Sequence, residues 1–194
     1  MKLYFGIAVM AVLATPVLAE SENTMGAIGR IGIDVGGSHE ANIKSTNAKN
    51  NTDPSLSFGI EVYQASGVTD IGIGAEKQLL RGIDGARGTF GFIPVYLTLR
   101  YFPGPKTKAD NIHKDGFYFS GKLGYGFVSS NKEYEYGLDS DGGLCFGAGA
   151  GMFFGKSFFM EAIYSRYGAT FHFLNKTDVD ISYSKIGVYI GGRI

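Results

Sequence analysis

The chain has no tryptophan and a single cysteine, Cys145, among its 194 residues. One cysteine cannot form a disulfide within the chain, so the fold has no disulfide framework. After the N-terminal segment, no apolar run approaches the roughly 20 residues that a membrane helix needs. If the protein lies in a membrane, it must be a closed β-barrel, because only helices and closed barrels satisfy all backbone polar groups in lipid.

A net charge is also missing, since 18 basic residues balance 18 acidic ones. A neutral chain has no general attraction to nucleic acid. The composition therefore predicts no nucleic-acid partner.

The first 19 residues have the pattern of a secretory signal peptide. Lys2 precedes an apolar stretch at 3–13, and Val17 and Ala19 stand at the −3 and −1 positions of a small-residue cleavage site. We expect cleavage to leave one domain, 20–194. Losing Lys2 gives this domain one more acidic than basic residue.

Strict alternation in residues 143–168 predicts a β-hairpin with a tight turn at Gly155-Lys156. One face of its first strand is apolar, from Leu144 to Phe154, and the other is mostly glycine. Glycine weakens a solvated strand but fits where space is short. We therefore expect the glycine face to point into a narrow barrel and the apolar face to meet lipid.

The same alternation recurs along the chain and predicts eight strands. They are 27–36, 56–64, 70–79, 90–102, 117–128, the two strands of 143–168, and 181–194. Long polar loops are expected at 38–55, 80–89, 129–142 and 172–180, with shorter turns at the opposite end, apart from a long connection at 103–115. Pro94 cannot donate to a ladder, so we expect a bulge or bend there.

Alternation alone does not decide which face meets lipid, and a soluble lipocalin-like barrel would be apolar inside and polar outside. The glycine-rich polar face and the absence of tryptophan favour the membrane version. So do aromatic residues with outward parity at the short-turn rim, which match an interfacial girdle. These are Tyr101, Phe117, Phe119, Phe154 and Phe158.

Nine charged residues have inward parity and are the candidate functional residues. They are Arg30, Asp34, Glu61, Glu76, Arg100, Lys122, Glu161, Lys185 and Arg193. Their signs nearly balance, which predicts an ion-pair network that fills the lumen, because unpaired buried charges are costly. The alternative is a narrow ion path lined by the same residues. An eight-stranded barrel is just wide enough for its own side chains, which favours the filled lumen.

Residues 93–102, 121–127, 147–154 with 159–164, and 186–194 together resemble the small outer-membrane β-barrels of the OmpA/OmpX type. This resemblance implies an all-β fold, an eight-stranded antiparallel up-and-down transmembrane β-barrel in a bacterial outer membrane. It also implies contact with lipid and lipopolysaccharide and insertion by the barrel-insertion machinery. Closure of the barrel removes the sheet edges, which predicts a monomer. The family commonly closes on an aromatic residue, whereas this sequence closes on Ile194.

The resemblance is specific for architecture, so three functions remain open. The first is a structural or surface-interaction role, with any surface ligand bound by the loops, and the second is a narrow porin. The third and most distant is a lipid A-modifying enzyme. His39, His113 and His172 each lack a serine two residues later, the pairing of the deacylase family. We therefore predict no catalytic, cofactor or metal site.

Overall fold

The computed structural model of the chain describes residues 24–43, 46–84, 88–103, 116–130, 139–155, 157–172 and 178–194. The expected signal peptide, His113 and most of the connection at 103–115 lie outside these ranges. Within them, no helix is long and apolar enough to cross a membrane.

The described residues form antiparallel strands that close into a barrel through pairing of the last strand with the first. Their bounds are β1 Thr24–Ile43, β2 Thr46–Asn51, β3 Ser55–Ser66, β4 Thr69–Gln78, β5 Arg81–Gly82, β6 Thr89–Tyr101, β7 Gly116–Ser130, β8 Asp139–Phe154, β9 Phe158–His172 and β10 Asp178–Arg193. β2 runs on into β3, and β4 into β5, each with a short interruption, so the wall has eight strands. The predicted closed, eight-stranded antiparallel barrel is confirmed.

The two ends of the barrel differ in their connections. We call the end that carries residues 67–68, Gly155 and Ile194 the turn side, and the opposite end the loop side. At the turn side, Gly67 and Gly155 have φ angles of 61° and 63°. Tight turns require such left-handed conformations, which glycine adopts without a steric penalty.

A belt of exposed apolar side chains surrounds the turn-side part of the wall. Exposed members include Ile31, Ile33, Phe58, Ile60, Ile73, Leu99, Tyr101, Phe117, Phe119, Leu123, Phe146, Phe154, Phe158, Met160, Tyr164, Ile186 and Ile190. On β7 the belt runs from Phe117 to Phe127, which at about 3.3 Å per residue and a tilt of about 40° gives a height of roughly 25 Å. That height equals the apolar band of barrels that span an outer membrane.

Strand structure extends into two of the expected loops, so the prediction of a loop was largely wrong for 38–55 and wrong in part for 80–89. Residues 38–43 and 46–51 form a hairpin that extends the wall, with Ser38 opposite Asn51. Likewise, β5 and a bridge between Thr52 and Ile83 occupy part of 80–89. Irregularities in the alternation hid both: the ladder between β1 and β10 shifts register at Val35, and Leu79 and Leu80 are both exposed.

Pro94 interrupts pairing on one side only. The ladder between β6 and β7 passes through Pro94 opposite Gly126 without a register shift. The ladder between β4 and β6 ends at the pair of Ala75 and Val95, so it does not reach Pro94, the neighbour of Val95 in the chain. The missing N–H therefore falls where the β4 ladder stops, rather than at a bulge against β7.

The wall reverses its polarity towards the loop side. In the belt, outward residues are apolar and inward ones are polar or glycine. Beyond it, the outward positions of β9 and β10 carry Arg166, Thr170, Ser182 and Asp180, while inward positions carry apolar groups such as Phe171. We call this loop-side part the upper wall. It has the polarity of a soluble barrel, set on top of a barrel with the polarity expected in lipid.

Candidate functional site

The middle of the lumen holds one continuous chain of alternating charges, which we call the charged layer. Its order is Arg81, Asp34, Lys185, Glu76, Arg30, Glu161 and Lys122. The N–O distances along it are 2.6, 2.8, 3.1, 3.5, 3.3 and 3.7 Å. Every cation therefore has a carboxylate neighbour, as burial of charge requires.

Hydroxyl groups add hydrogen bonds to the charged layer. The Lys185 ammonium donates to the Ser57 hydroxyl at 3.3 Å and to the Tyr189 hydroxyl at 3.1 Å. Tyr189 in turn donates to Glu76 at 3.0 Å, and the Arg30 guanidinium donates to the Tyr96 hydroxyl. These partners come from β3, β6 and β10, so the network ties distant strands to one another.

A second group of charges lies nearer the turn side. The Arg100 guanidinium lies 2.6 Å from the Glu61 carboxylate, and both side chains are fully buried. Asp70, also buried, stands opposite Arg100 in the ladder between β4 and β6. Arg193 is half-buried, with its guanidinium carbon 3.9 Å from the centre of the Phe153 ring.

The structure thus brings six of the nine candidate charges into one chain with Arg81, and places the other three, Glu61, Arg100 and Arg193, nearer the turn side. Sequence reasoning missed Arg81 and Asp70. Asp70 shares the parity of Glu76 and Gln78 on β4, which is a signal that could have found it. Arg81 had no such signal, because the irregularity at Leu79 and Leu80 breaks the alternation before it.

Aromatic side chains cover the charged layer on the loop side, and we call them the loop-side layer. The rings of Phe92, Tyr167 and Tyr183 stack, with centroids 5.0 to 5.9 Å apart. Phe90 packs edge-on against Tyr183 at 5.2 Å. The same apolar cluster includes Ile83, Ala169, Phe171, Val179 and Ile181. Side chains from opposite sides of the barrel are in contact here and together span the lumen.

A second apolar cluster, the turn-side layer, covers the other end. Its members are Ile28, Tyr63, Ala65, Phe102, Tyr118, Phe153 and Phe159. Tyr118 lies 5.3 Å from Phe153 and 5.4 Å from Phe102, measured between ring centroids. The lumen therefore has three layers, with the charged layer held between two apolar plugs. The second group of charges contacts the turn-side plug, where the Arg100 guanidinium carbon lies 5.7 Å from the centre of the Tyr118 ring.

Little space remains inside. A cavity of about 10 Å³ at the charged layer, lined by Glu76, Tyr96 and Lys122 among others, has room for about one water molecule. Inward glycines allow this close approach: a Cβ atom on Gly124 would collide with the Val95 carbonyl oxygen, and one on Gly149 with the Ala162 carbonyl oxygen. The arrangement can hold charge and fix strand register, and the side chains of the three layers occupy the described lumen.

Two of the three histidines are described, and only one fits the expectation of a rim residue. His39 is buried, points into the lumen and packs 5.2 Å from Phe90, so its placement in a loop was wrong. His172 lies at the outer rim with its nitrogens 2.8 Å from Asp178 and 3.3 Å from Asp141. The hydrogen bond with Asp178, followed by that with Asp141, raises the pKa of His172 above its ordinary 6.5. In the described ranges, no group of three or more His, Cys, Asp or Glu side chains is placed to hold a metal ion.

The outer face of the upper wall carries exposed ion pairs. Glu40 lies 3.1 Å from Lys49 and 3.7 Å from Arg166. The Arg166 Nε atom donates to the Ser182 hydroxyl at 2.7 Å, and Thr170 donates to Asp180 at 2.9 Å. These contacts join β1, β2, β9 and β10, so much of the surface once expected in loops belongs to a hydrogen-bonded sheet.

No family model and no curated protein matches the chain. Among solved structures, it is similar to the outer membrane protein OprG of Pseudomonas aeruginosa, with 13% identity, a TM-score of 0.50, and coverage of 88% of this chain and 93% of OprG. Neisserial surface protein A matches with 13% identity, a TM-score of 0.45, and coverage of 88% and 99%. Ail, the attachment invasion locus protein of Yersinia pestis, matches with 14% identity, a TM-score of 0.41, and coverage of 87% and 99%. At these identities the OprG match shows the fold alone, that of a small eight-stranded outer-membrane barrel.

Proposed function

We propose that this chain is an exported outer-membrane protein with a structural or surface-interaction role and a lumen that does not conduct. The observation that carries the proposal is the closure of the charged layer at both ends by apolar plugs. A conducting pore needs a hydrated path, whereas this lumen is occupied by its own side chains. The apolar belt supports insertion in a bilayer, and the polar upper wall supports exposure beyond it.

The proposal includes the steps that bring the protein to this place. Residues 1–19 direct export, the barrel-insertion machinery inserts residues 20–194, and the protein works as a monomer, since closure leaves no sheet edge within the belt to pair with another chain. The protein is not an enzyme and needs no cofactor. A surface ligand would meet the upper wall and the predicted loops 38–55, 80–89, 129–142 and 172–180, parts of which belong to that wall.

The test is conductance of refolded residues 20–194 in a planar bilayer. Before the recording, a heat-dependent shift in gel mobility and a β-type circular dichroism spectrum establish folding, and a known porin in the same bilayer establishes sensitivity. We expect a folded but silent barrel. Reproducible step currents would overturn the proposal in favour of the narrow porin.

If currents did occur, the interior charges would set their selectivity. Reversal of the buried charge in an Arg100→Glu variant would then shift the preference between cations and anions. A shift in selectivity would identify the lumen as the path, while unchanged selectivity would place the conducting path outside the lumen.

A further inference from the structure

The border between the belt and the upper wall carries a cluster of hydrogen-bond donors on neighbouring strands. Tyr164 of β9 and Ile186 of β10 stand opposite each other as the last apolar outward pair. The next outward pair is Arg166 and Ser184. The Arg166 side chain is 46% exposed, so its charge lies at the surface directly above the belt.

The guanidinium of Arg166 is only partly engaged within the protein. Its Nε atom bonds the Ser182 hydroxyl, and its Nη2 atom lies 3.7 Å from Glu40. Glu40 lies nearer to Lys49, at 3.1 Å, and exposed ion pairs as long as 3.7 Å are weak. Glu40 can therefore remain with Lys49 while both Nη atoms of Arg166 donate to another acceptor.

The geometry points to this cluster as a binding site for a phosphate group of lipopolysaccharide, an inference that rests on the proposed place in the outer membrane. The planar guanidinium matches the bidentate geometry of phosphate. A tyrosine at the end of an apolar band places its hydroxyl at the headgroup level. Tyr164, Arg166 and Ser184 would together donate to the phosphate oxygens, while the acyl chains lie against Ile186 and its neighbours in the belt.

The height of the upper wall favours a saccharide-bearing lipid over a phospholipid. From Arg166 to His172, β9 continues for six residues, which at about 3.3 Å per residue and a tilt of about 40° is roughly 15 Å above the border. A phospholipid headgroup layer is only about 5–8 Å thick. The sugars of lipopolysaccharide would instead extend along the outward hydroxyl and carboxylate groups of Thr170, Ser182 and Asp180.

The experiment measures binding of bisphosphorylated lipid A to refolded residues 20–194 in a zwitterionic detergent, by native mass spectrometry. An Arg166→Gln variant should bind about tenfold more weakly, as expected for the loss of one charge-assisted contact. Lys77→Gln removes the same charge from the outer face of β4, on the opposite side of the barrel from β9, and should change the affinity by less than about twofold. Glu40→Gln frees Arg166 and should strengthen binding.

Three further ligands identify what is recognised. Lipid A without phosphates and phosphatidylglycerol should each bind at least about tenfold more weakly than lipid A. Inorganic phosphate at the concentration of lipid A should not compete, because it lacks the acyl chains. Equal loss in Arg166→Gln and Lys77→Gln would overturn the inference, because it would mean attraction by net charge alone. Equal binding of phosphatidylglycerol, or competition by inorganic phosphate at the concentration of lipid A, would also overturn it. A silent barrel with unaltered lipid A binding in Arg166→Gln would refute this site and leave the proposed function intact, whereas step currents would refute the proposed function whatever the lipid result.

Discussion

Replacing Asp34 by asparagine tests whether the charged layer is a dry, interlocked plug. The Asp34 carboxylate lies 2.6 Å from Arg81 and 2.8 Å from Lys185. After Asp34→Asn, Lys185 keeps Glu76 at 3.1 Å, but Arg81 keeps only neutral partners. A buried cation without its counter-charge costs about 3–5 kcal/mol, so we expect the free energy of unfolding to fall by that amount.

Removing the cation, Arg81, should cost less than removing Asp34. The two positions are therefore suitable for a double-mutant cycle. In Arg81→Met, Asp34 keeps its short contact with Lys185, so we expect a loss of about 1–2 kcal/mol. The double variant removes both charges and should be more stable than Asp34→Asn alone. The coupling between the two sites should be about 2–3 kcal/mol, the upper part of the range for residues in contact.

The assay is urea-induced unfolding of the refolded protein in phospholipid vesicles, followed by tyrosine fluorescence and by heat-dependent gel mobility. The free energies come from linear extrapolation to zero urea. A loss below about 1 kcal/mol in Asp34→Asn would refute the reasoning, because it would mean that water screens Arg81 and that the lumen is hydrated. That result would also remove the main support for a lumen that does not conduct.

Three further predictions concern the inward glycines, the rim and the loop-side layer. Gly124→Ala should lower the free energy of unfolding in urea by about 1–3 kcal/mol through overpacking. Gly121→Ala, whose Cβ meets nothing within 4 Å, should change it by less than about 0.5 kcal/mol. Equal effects of the two variants would contradict the close approach inferred at Gly124. Because the folded-state pKa of His172 is raised, its stabilisation of the rim is present below pH 6.5 and is lost as pH rises through the raised pKa; an NMR titration of its ring with a midpoint at or below 6.5 would contradict this. Phe92→Ala should lower the free energy of unfolding by about 3–5 kcal/mol. The variant should still carry no current in a planar bilayer, because the turn-side layer still closes the lumen. Step currents from this variant would show that the loop-side layer alone seals the lumen.

The belt could be predicted from the sequence because strand alternation has a fixed period of two. Where strands run without irregularity, as in β7 and β9, each residue of known parity has a known face. Phe119 and Leu123 lie outside, and Tyr118 and Glu161 lie inside, as the alternation indicates. Inward charges such as Glu161 could be named for the same reason. The ion pairs that these charges form could not be predicted, because they depend on the stagger between strands and not on the order of residues along one strand.

The upper wall could not be predicted, because its polarity is the reverse of that in the belt and its start coincides with bulges. In β10 the reversal is visible in hindsight: outward Ile186 and Ile190 give way to Ser182 and Asp180, while inward Lys185 gives way to Tyr183. Read with one rule for all strands, such segments look like polar loops. The same error turned residues 38–55 into a loop and hid Arg81.

The bulge at Val35 lets one strand serve both environments. Before it, Arg30 and Asp34 face the lumen; after it, the ladder shifts by one residue, and His39 faces the lumen while Glu40 faces out. A one-residue shift exchanges the faces of every later residue. Without the bulge, the Glu40 carboxylate would enter the apolar loop-side layer, where no cation of the charged layer could reach it without leaving its own partner. The irregularity therefore keeps charge out of the loop-side layer and supplies the outer face with the carboxylate that pairs with Lys49. The closed lumen and the polar upper wall thus depend on the same local departure from regular alternation.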